Sequence, residues 1–78
     1  MRIKTIQALD NFVLKITTKD GIDGLFDVKP YLQSEAFQSL KQEDNFSKVR
    51  NYDYYIEWEN GADLSADTIG CSMKKVSQ

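Results

Sequence analysis

The sequence predicts a small α+β domain, with an antiparallel sheet and two or three short helices. Apolar and polar side chains alternate near both ends of the chain, which is the pattern of strands with one buried face. Asp-Gly and Asn-Gly pairs lie beside these runs and predict tight hairpin turns. Serines that precede short apolar repeats predict the helices. The 78 residues are assigned to a single domain because a chain of this length normally forms one core.

A meander of about three strands is predicted for the N-terminal part of the chain. The first strand covers residues 2–9 and ends at a turn that contains Asp10 and Asn11. The second strand carries the alternation Phe12-Val13-Leu14-Lys15-Ile16-Thr17. The Asp20-Gly21 pair then predicts a hairpin into a third strand at residues 22–28, whose apolar centre is Leu25 and Phe26.

The middle of the chain is predicted to hold two short helical segments. Pro30 ends the sheet region because proline lacks the amide that a central strand donates. Ser34 is the predicted N-cap of the first segment, residues 41–45 are a predicted loop, and Asp44 is the predicted cap of the second. Apolar residues spaced by three mark the two segments: Phe37 and Leu40, then Phe46 and Val49.

The last strand is predicted over residues 52–59. Its alternation places Tyr54, Ile56 and Trp58 on one face and Tyr55, Glu57 and Glu59 on the other. Asn60-Gly61 predicts a tight turn, after which residues 62–64 form a short returning strand. Ser65 is the predicted N-cap of a last helix, with Asp67 in its first turn and an apolar face that Gly70 interrupts. Residues 74–78 are predicted to be a frayed tail.

Composition argues against several classes of chemistry. The chain has no histidine, which removes the commonest general base and transition-metal ligand. Cys71 is the single cysteine, so neither an internal disulfide nor a Cys-His nucleophile is expected. We therefore predict no catalytic residues, no metal site and no cofactor. The remaining alternative is a carboxylate-based enzyme or a hard-cation site, and its candidate residues are Asp20, Asp23, Asp27, Glu57, Glu59, Asp63 and Asp67.

The charge pattern gives no sign of a nucleic-acid or membrane surface. The net charge is −2, and the ten basic residues are dispersed, so direct nucleic-acid binding is not expected. Folding could still collect Arg2, Lys4, Lys15 and Lys48 on one face, or set Arg50 beside the tyrosines as a stacking platform. No apolar run has the length of about 20 residues that crosses a bilayer, and the first residues lack a signal-peptide pattern. We expect a cytoplasmic protein without membrane contact.

The aromatic residues around the last strand are the candidate interaction site. Tyr52, Tyr54, Tyr55 and Trp58 offer more aromatic surface than one face of a strand can bury. Tyrosine and tryptophan are enriched at interface hot spots, so a protein partner or a second copy of this chain is expected to bind there. The alternative is that the second face packs beneath a loop or a helix.

Several segments together resemble a bacterial family of small proteins called domain of unknown function 2442. These segments are Asp20-Gly21, Phe26-Asp27-Val28, Tyr31-Leu32, Phe37 with Leu40, Phe46-Ser47-Lys48-Val49 and Ile56-Glu57-Trp58-Glu59-Asn60-Gly61-Ala62-Asp63-Leu64, within residues 11–69. The chain has Glu59 and Ser65 at two positions where the family often has proline. The family motif residues are interpreted as structural: Asp27, Trp58, Asn60, Gly61, Asp63 and Leu64.

The resemblance implies a compact α+β fold and carries over no catalytic residue. Some members of the family look like one half of a two-gene toxin–antitoxin type module, and others carry a helix-turn-helix domain after this one. The printed chain ends at Gln78, so we expect no such attached domain. The expected function is a non-catalytic protein-interaction module, as the antitoxin-like or regulatory member of a pair. The alternative is a nucleic-acid-associated regulator that acts through its partner.

Overall fold

The α+β fold class is confirmed, and the N-terminal meander forms as predicted. The computed structural model describes residues 1–76, except for the side chain of Glu43. Strands β1 (Ile3–Leu9), β2 (Val13–Thr18) and β3 (Asp23–Asp27) pair antiparallel in that order. One face of this sheet is buried at Leu14 and Ile16, which lie opposite Phe26 and Gly24 on β3. The alternation of side chains therefore gives the correct buried face for β2, whereas Leu25, part of the predicted apolar centre of β3, is 39% exposed.

The two turns of the meander use residues with positive φ. Gly21, in the Asp20-Gly21 hairpin, has φ +88°, which glycine adopts without a steric cost. The turn between β1 and β2 spans Asp10–Phe12, where Asn11 has φ +62° and Phe12 has φ +59°. Phe12 was predicted as a strand residue and is a turn residue instead. Its ring packs edge-on against Phe46, at 5.4 Å between ring centroids, so tertiary packing holds it in the turn.

The middle segment contains helical turns, but their type and bounds differ from the prediction. Lys29–Tyr31 and Glu35–Lys41 are 3₁₀-helices, and Ser34 makes no side-chain cap hydrogen bond with any described residue. Phe37 and Leu40 are both buried, as their spacing predicts. Helix α1 (Glu43–Phe46) occupies part of the predicted loop.

Two finer predictions for α1 are therefore wrong. Asp44 lies inside the helix and not at its cap, and Val49 lies beyond its end. The backbone carbonyl of Asp44 accepts a hydrogen bond from Ser47 Oγ at 3.0 Å, which closes the last turn. Phe46 is 3% exposed, so burial of its ring, rather than a side-chain cap, accounts for the position of this single turn.

The C-terminal part forms a second, separate sheet of strands β4 (Arg50–Asn51), β5 (Tyr55–Glu57) and β6 (Asp63–Ser65). The predicted strand over residues 52–59 is thus much shorter. Ser65 caps helix α2 (Ala66–Ser72) as predicted, because its Oγ accepts a hydrogen bond from Thr68 N at 3.1 Å. The helix continues through Gly70, the residue that was predicted to interrupt its apolar face.

The tail is also more ordered than predicted. Lys74–Lys75 form strand β7, which pairs antiparallel with Leu25 and Gly24 of β3, and Val76 N donates to Asp23 O at 2.9 Å. The frayed tail was predicted for residues 74–78, of which 77 and 78 lie outside the described residues. Pairing is favourable here because β3 would otherwise present unpaired backbone groups at the edge of the first sheet.

The two sheets enclose one cluster of buried apolar side chains and meet at the start of β1. The buried cluster comprises Ile3, Leu14, Ile16, Phe26, Val28, Leu32, Phe37, Leu40, Phe46, Ile56, Trp58, Ala62, Leu64, Ala66 and Ile69. Ile3 N donates to Asp53 O at 2.8 Å, and Asn51 Nδ2 donates to the carbonyls of Ile3 and Lys4 at 3.0 and 3.2 Å. These bonds join the outer edge of β1 to the last residue of β4 and to the loop that follows it.

Candidate functional site

The indole of Trp58 lies in the core and is not available as an interaction surface. Trp58 is 2% exposed, and its Nε1 donates to the carbonyl of Phe46 at 2.9 Å. Its ring stacks against Phe46 and meets Phe37 edge-on, at 6.1 and 6.0 Å between centroids. Trp58 therefore fixes α1 and the 3₁₀-helix Glu35–Lys41 against the second sheet, which removes it from the predicted interaction site.

Asn60 and Gly61 tie the turn after Trp58 to the same 3₁₀-helix. Asn60 Nδ2 donates to Ser39 Oγ at 2.5 Å and to Ala36 O at 3.3 Å. Its Oδ1 accepts a hydrogen bond from Ala62 N at 3.1 Å, so both ends of the amide are used. Gly61 has φ +93°, a backbone conformation that side-chain-bearing residues rarely adopt. These contacts are what a structural turn requires.

The other motif residues have equally local positions. Leu64 is 7% exposed and belongs to the core, whereas Asp63 is exposed opposite Glu57 on the neighbouring strand. Asp27 Oδ1 accepts from Lys29 N at 2.9 Å, and Lys29 Nζ lies 3.1 Å from the same oxygen. These contacts lower the pKa of Asp27, the backbone hydrogen bond most of all.

The candidate carboxylates do not converge on one site. Thr18 Oγ1 donates to Asp20, and Thr17 Oγ1 donates to Asp23 Oδ1 at 2.7 Å, so both aspartates bind threonines of their own hairpin. Among the described residues there is no group of three or more His, Cys, Asp or Glu side chains that could hold a metal ion. Asp20 and Asp67 line one groove, and Glu57 lies opposite Asp63 on the neighbouring strand, so these candidate carboxylates come together in pairs.

Three tyrosines are exposed in the loop between β4 and β5 and at the first residue of β5, a segment that we call the tyrosine turn (Tyr52, Asp53, Tyr54 and Tyr55). Tyr54 N donates to Tyr52 O, and Tyr52 N donates to Tyr55 O, both at 2.9 Å. Asp53 is the central residue between Tyr52 and Tyr54, whose hydrogen bond closes a γ-turn. The φ of Asp53 is +77°, which belongs to the rarer and more strained type of γ-turn. Such a conformation persists only where neighbouring contacts hold it.

Contacts from distant parts of the chain hold Asp53 in this conformation. Asn51 Oδ1 accepts from Asp53 N at 2.8 Å, while the carbonyl of Asp53 accepts from Ile3 N. The Asp53 carboxylate accepts hydrogen bonds from the Arg2 guanidinium, with Nε 3.1 Å from Oδ1, and from Lys19 Nζ at 2.9 Å. These bonds, that of Arg2 first, lower the pKa of Asp53 to about 2. The carboxylate is therefore ionised at neutral pH.

The rings of the tyrosine turn form an aromatic surface beside a cation. Tyr52 and Tyr55 are 42% and 40% exposed and stack in parallel, at 5.0 Å between centroids and an interplanar angle of 9°. Tyr54 is 63% exposed, and the Arg2 guanidinium carbon lies 5.0 Å from its ring centroid. The prediction that Tyr54 shares the buried face of Ile56 is wrong, because the γ-turn interrupts the strand alternation before β5 begins.

Sequence reasoning identified the tyrosines but not the groups that hold them. Arg2 and Asp53 are 51 positions apart, and nothing in their spacing indicates the pair. Among the basic residues that folding could have collected on one face, Lys48 lies with its Nζ 3.7 Å from Glu59 Oε2, in the turn after β5. The Arg2 guanidinium lies over the ring of Tyr54, Lys19 binds Asp53 of the same turn, and Arg50 lines a groove together with Tyr52.

The fold and the site together define the class of protein, which is a small α+β domain with an exposed tyrosine turn. Among the described residues there is no helix long and apolar enough to cross a membrane. The family follows from comparison with known proteins. The chain belongs to the family described as protein of unknown function (DUF2442), whose model matches residues 3–70. No curated protein and no solved structure matches it. The family resemblance predicted from the motif is thus confirmed.

Proposed function

We propose that this chain is a non-catalytic protein-interaction module that binds a partner protein through the tyrosine turn. The observation that carries this proposal is the exposure of three tyrosine rings on one backbone turn that ion pairs and hydrogen bonds hold in place. Tyrosine presents a large contact area with few rotatable bonds, so an ordered tyrosine surface loses little conformational entropy on binding. Rings of this kind are frequent at the energetic centres of protein interfaces.

The strained turn supports the same proposal. A backbone conformation such as that of Asp53 costs roughly 1–3 kcal/mol and is most often retained where it presents a functional surface. The fold does not need the tyrosine rings for its core, since Trp58 and Ile56 fill that position beneath β5. In the two-gene arrangement that the family resemblance implies, the partner is the product of the second gene, and this chain is the regulatory, antitoxin-like member.

The test is co-purification of the tagged chain from its own cells, followed by mass spectrometry of whatever protein is present in stoichiometric amount. Tyr54→Ala and Tyr55→Ala should each reduce partner recovery, because loss of an interface tyrosine commonly costs about 1–3 kcal/mol of binding. Leu25→Ala is the matched control, since Leu25 is 39% exposed on β3 of the other sheet. Circular dichroism should show all three variants folded.

Three results would contradict the proposal. Recovery of the partner by both tyrosine variants at the native level would show that the turn is not the contact surface. Unfolding of the chain by Tyr55→Ala would show that the ring contributes to the core, despite its 40% exposure. A reduced recovery with all variants, including Leu25→Ala, would place the contact elsewhere or spread it over the whole surface.

A further inference from the structure

We infer that the tyrosine turn recognises an acidic segment of its partner protein, with a carboxylate bound by Arg2 and Lys19 beside the ring of Tyr54. This inference rests on the proposed function and adds the chemistry of the partner. Its basis is the charge distribution around the rings, which differs from that of the chain as a whole. The net charge of the chain is −2, whereas the end of the turn at Arg2 is positive.

One positive charge at this end is uncompensated. Two cations, Arg2 and Lys19, share the single carboxylate of Asp53. The side chains of Arg2 and Lys19 are 50% and 47% exposed, whereas that of Asp53 is 25% exposed, so the cations face the solvent more than the anion does. Asp20, which follows Lys19, is bonded to Thr18 and lines a groove beside α2. An incoming carboxylate would therefore meet donors at the turn.

The other end of the aromatic surface has the opposite charge. A row of charged residues crosses the second sheet there: Glu57 on β5 lies opposite Arg50 on β4 and opposite Asp63 on β6. Two carboxylates therefore accompany one guanidinium on this row. Glu57 lies two positions from Tyr55 on the same strand and thus on the same face, about 7 Å along the chain. The stacked pair of Tyr52 and Tyr55 thus lies between a positive and a negative end.

This asymmetry favours an acidic protein segment over a nucleic acid. A single strand of nucleic acid needs a basic track along its repeated phosphates, in addition to aromatic stacking. Here Arg2 and Lys19 lie at one end only, and a phosphate backbone that continued past Tyr55 would meet Glu57 and Asp63, which outnumber Arg50 in the same row. A peptide segment can instead place one carboxylate at Arg2 and an apolar side chain on the stacked rings. Charges of opposite sign at the two ends then fix its orientation.

The test is a titration of the isotope-labelled full chain, followed by NMR, at low ionic strength. The first probe is a blocked hexapeptide of alternating glutamate and leucine, and the second has lysine in place of glutamate. The third probe is a ten-nucleotide oligothymidine. The glutamate peptide should shift the signals of the Tyr54 amide and the Arg2 Nε–H group. It should bind roughly tenfold more tightly than the lysine peptide, because each exposed ion pair contributes up to about fivefold.

Charge variants test whether the positive charges at positions 2 and 19 are what the glutamate peptide requires. The double variant R2K K19R keeps both charges and should retain binding of the glutamate peptide, whereas R2Q K19Q should lose it. The matched control is Lys29→Gln, since Lys29 also pairs with an aspartate, Asp27, and is 51% exposed beyond the other end of β3. This variant should bind like the native chain.

Several results would overturn the inference. The first is that the lysine peptide or the oligothymidine binds the native chain as tightly as the glutamate peptide does, or more tightly. The second is that R2K K19R loses binding of the glutamate peptide as R2Q K19Q does. The third is that millimolar glutamate peptide shifts no signal of the native chain. If the glutamate peptide fails while Tyr54→Ala still releases the co-purified partner, the inference is wrong and the proposed function stands. If Tyr54→Ala and Tyr55→Ala both retain the partner, the proposed function itself fails.

Discussion

The hydrogen bond of the Trp58 indole can be removed without removing the ring. A benzothienyl-alanine residue at this position has a sulfur atom in place of the indole N–H group and almost the same shape. The carbonyl of Phe46 would then lose the donor that lies 2.9 Å away, in a site where Trp58 is 2% and Phe46 3% exposed. A buried acceptor left without its donor costs about 1–3 kcal/mol.

This cost is a large part of the total stability of the chain. A domain of 78 residues has a free energy of unfolding of about 4–12 kcal/mol, at roughly 0.05–0.15 kcal/mol per residue. The isostere should therefore lower Tm by roughly 5–20 °C, since 1 kcal/mol shifts Tm by about 4–8 °C in a domain of this size. Trp58→Phe should cost about 1–2 kcal/mol more, because the smaller ring also leaves unfilled core volume.

The assay is urea denaturation for the free energy of unfolding and a thermal melt for Tm, both followed by far-ultraviolet circular dichroism, because the only tryptophan of the chain is the altered residue. Tyr54→Phe is the control, since its ring is 63% exposed and surface substitutions usually stay within about 0.5 kcal/mol. If the isostere unfolds within about 0.5 kcal/mol of the native chain, the hydrogen bond to Phe46 contributes nothing and the reasoning is refuted.

Three further predictions concern the turns. Asp53→Asn should lower Tm at neutral pH, as measured by thermal melts. The difference in Tm from the native chain should shrink as pH falls from about 4 to about 2, because the pKa of Asp53 is lowered to about 2 and its carboxylate stabilises the fold only while ionised. A difference in Tm that persists below about pH 2 contradicts this reasoning. Gly61→Ala should cost about 1–2 kcal/mol in urea denaturation, and Gly61→Asn less, because φ is +93° and no atom within 4 Å would obstruct a Cβ; equal costs would point to a cause other than φ. Asn60→Ala should speed amide hydrogen exchange in Glu35–Lys41 by roughly 5–30-fold, because the variant lacks the hydrogen bonds to Ala36 and Ser39. Unchanged exchange in this segment would show that these bonds do not hold the 3₁₀-helix.

The turns and the last N-cap were predictable because they depend on few neighbouring residues. Glycine is the residue that adopts positive φ at low cost, which places the turns at Gly21 and Gly61 whatever packs around them. Ser65 caps α2 through an amide only three residues away. Alternation also gave the buried face of β2 correctly, since this strand has one face on the core.

The predictions failed where distant groups decide the local backbone. Tyr54 follows the alternation of Ile56 and Trp58 in the sequence, but Arg2 and Lys19 hold Asp53 in a γ-turn that turns the Tyr54 ring outward. The 3₁₀-helix Glu35–Lys41 carries the predicted spacing of Phe37 and Leu40, a spacing that suits both helix types. Its type therefore depends on what it packs against, including Trp58 and Asn60.

By itself the sequence determined the α+β class, the meander, the hairpin turns and the family, because these rest on periodicity and on residues with distinctive backbone preferences. Only the tertiary structure decided which aromatic rings are core and which are surface, and that Lys74–Lys75 complete the first sheet. It also assembled the charged surroundings of the tyrosine turn. The physical reason is that Arg2 and Lys19 join Asp53 from positions 51 and 34 residues away, and local patterns carry no information about contacts at such separations.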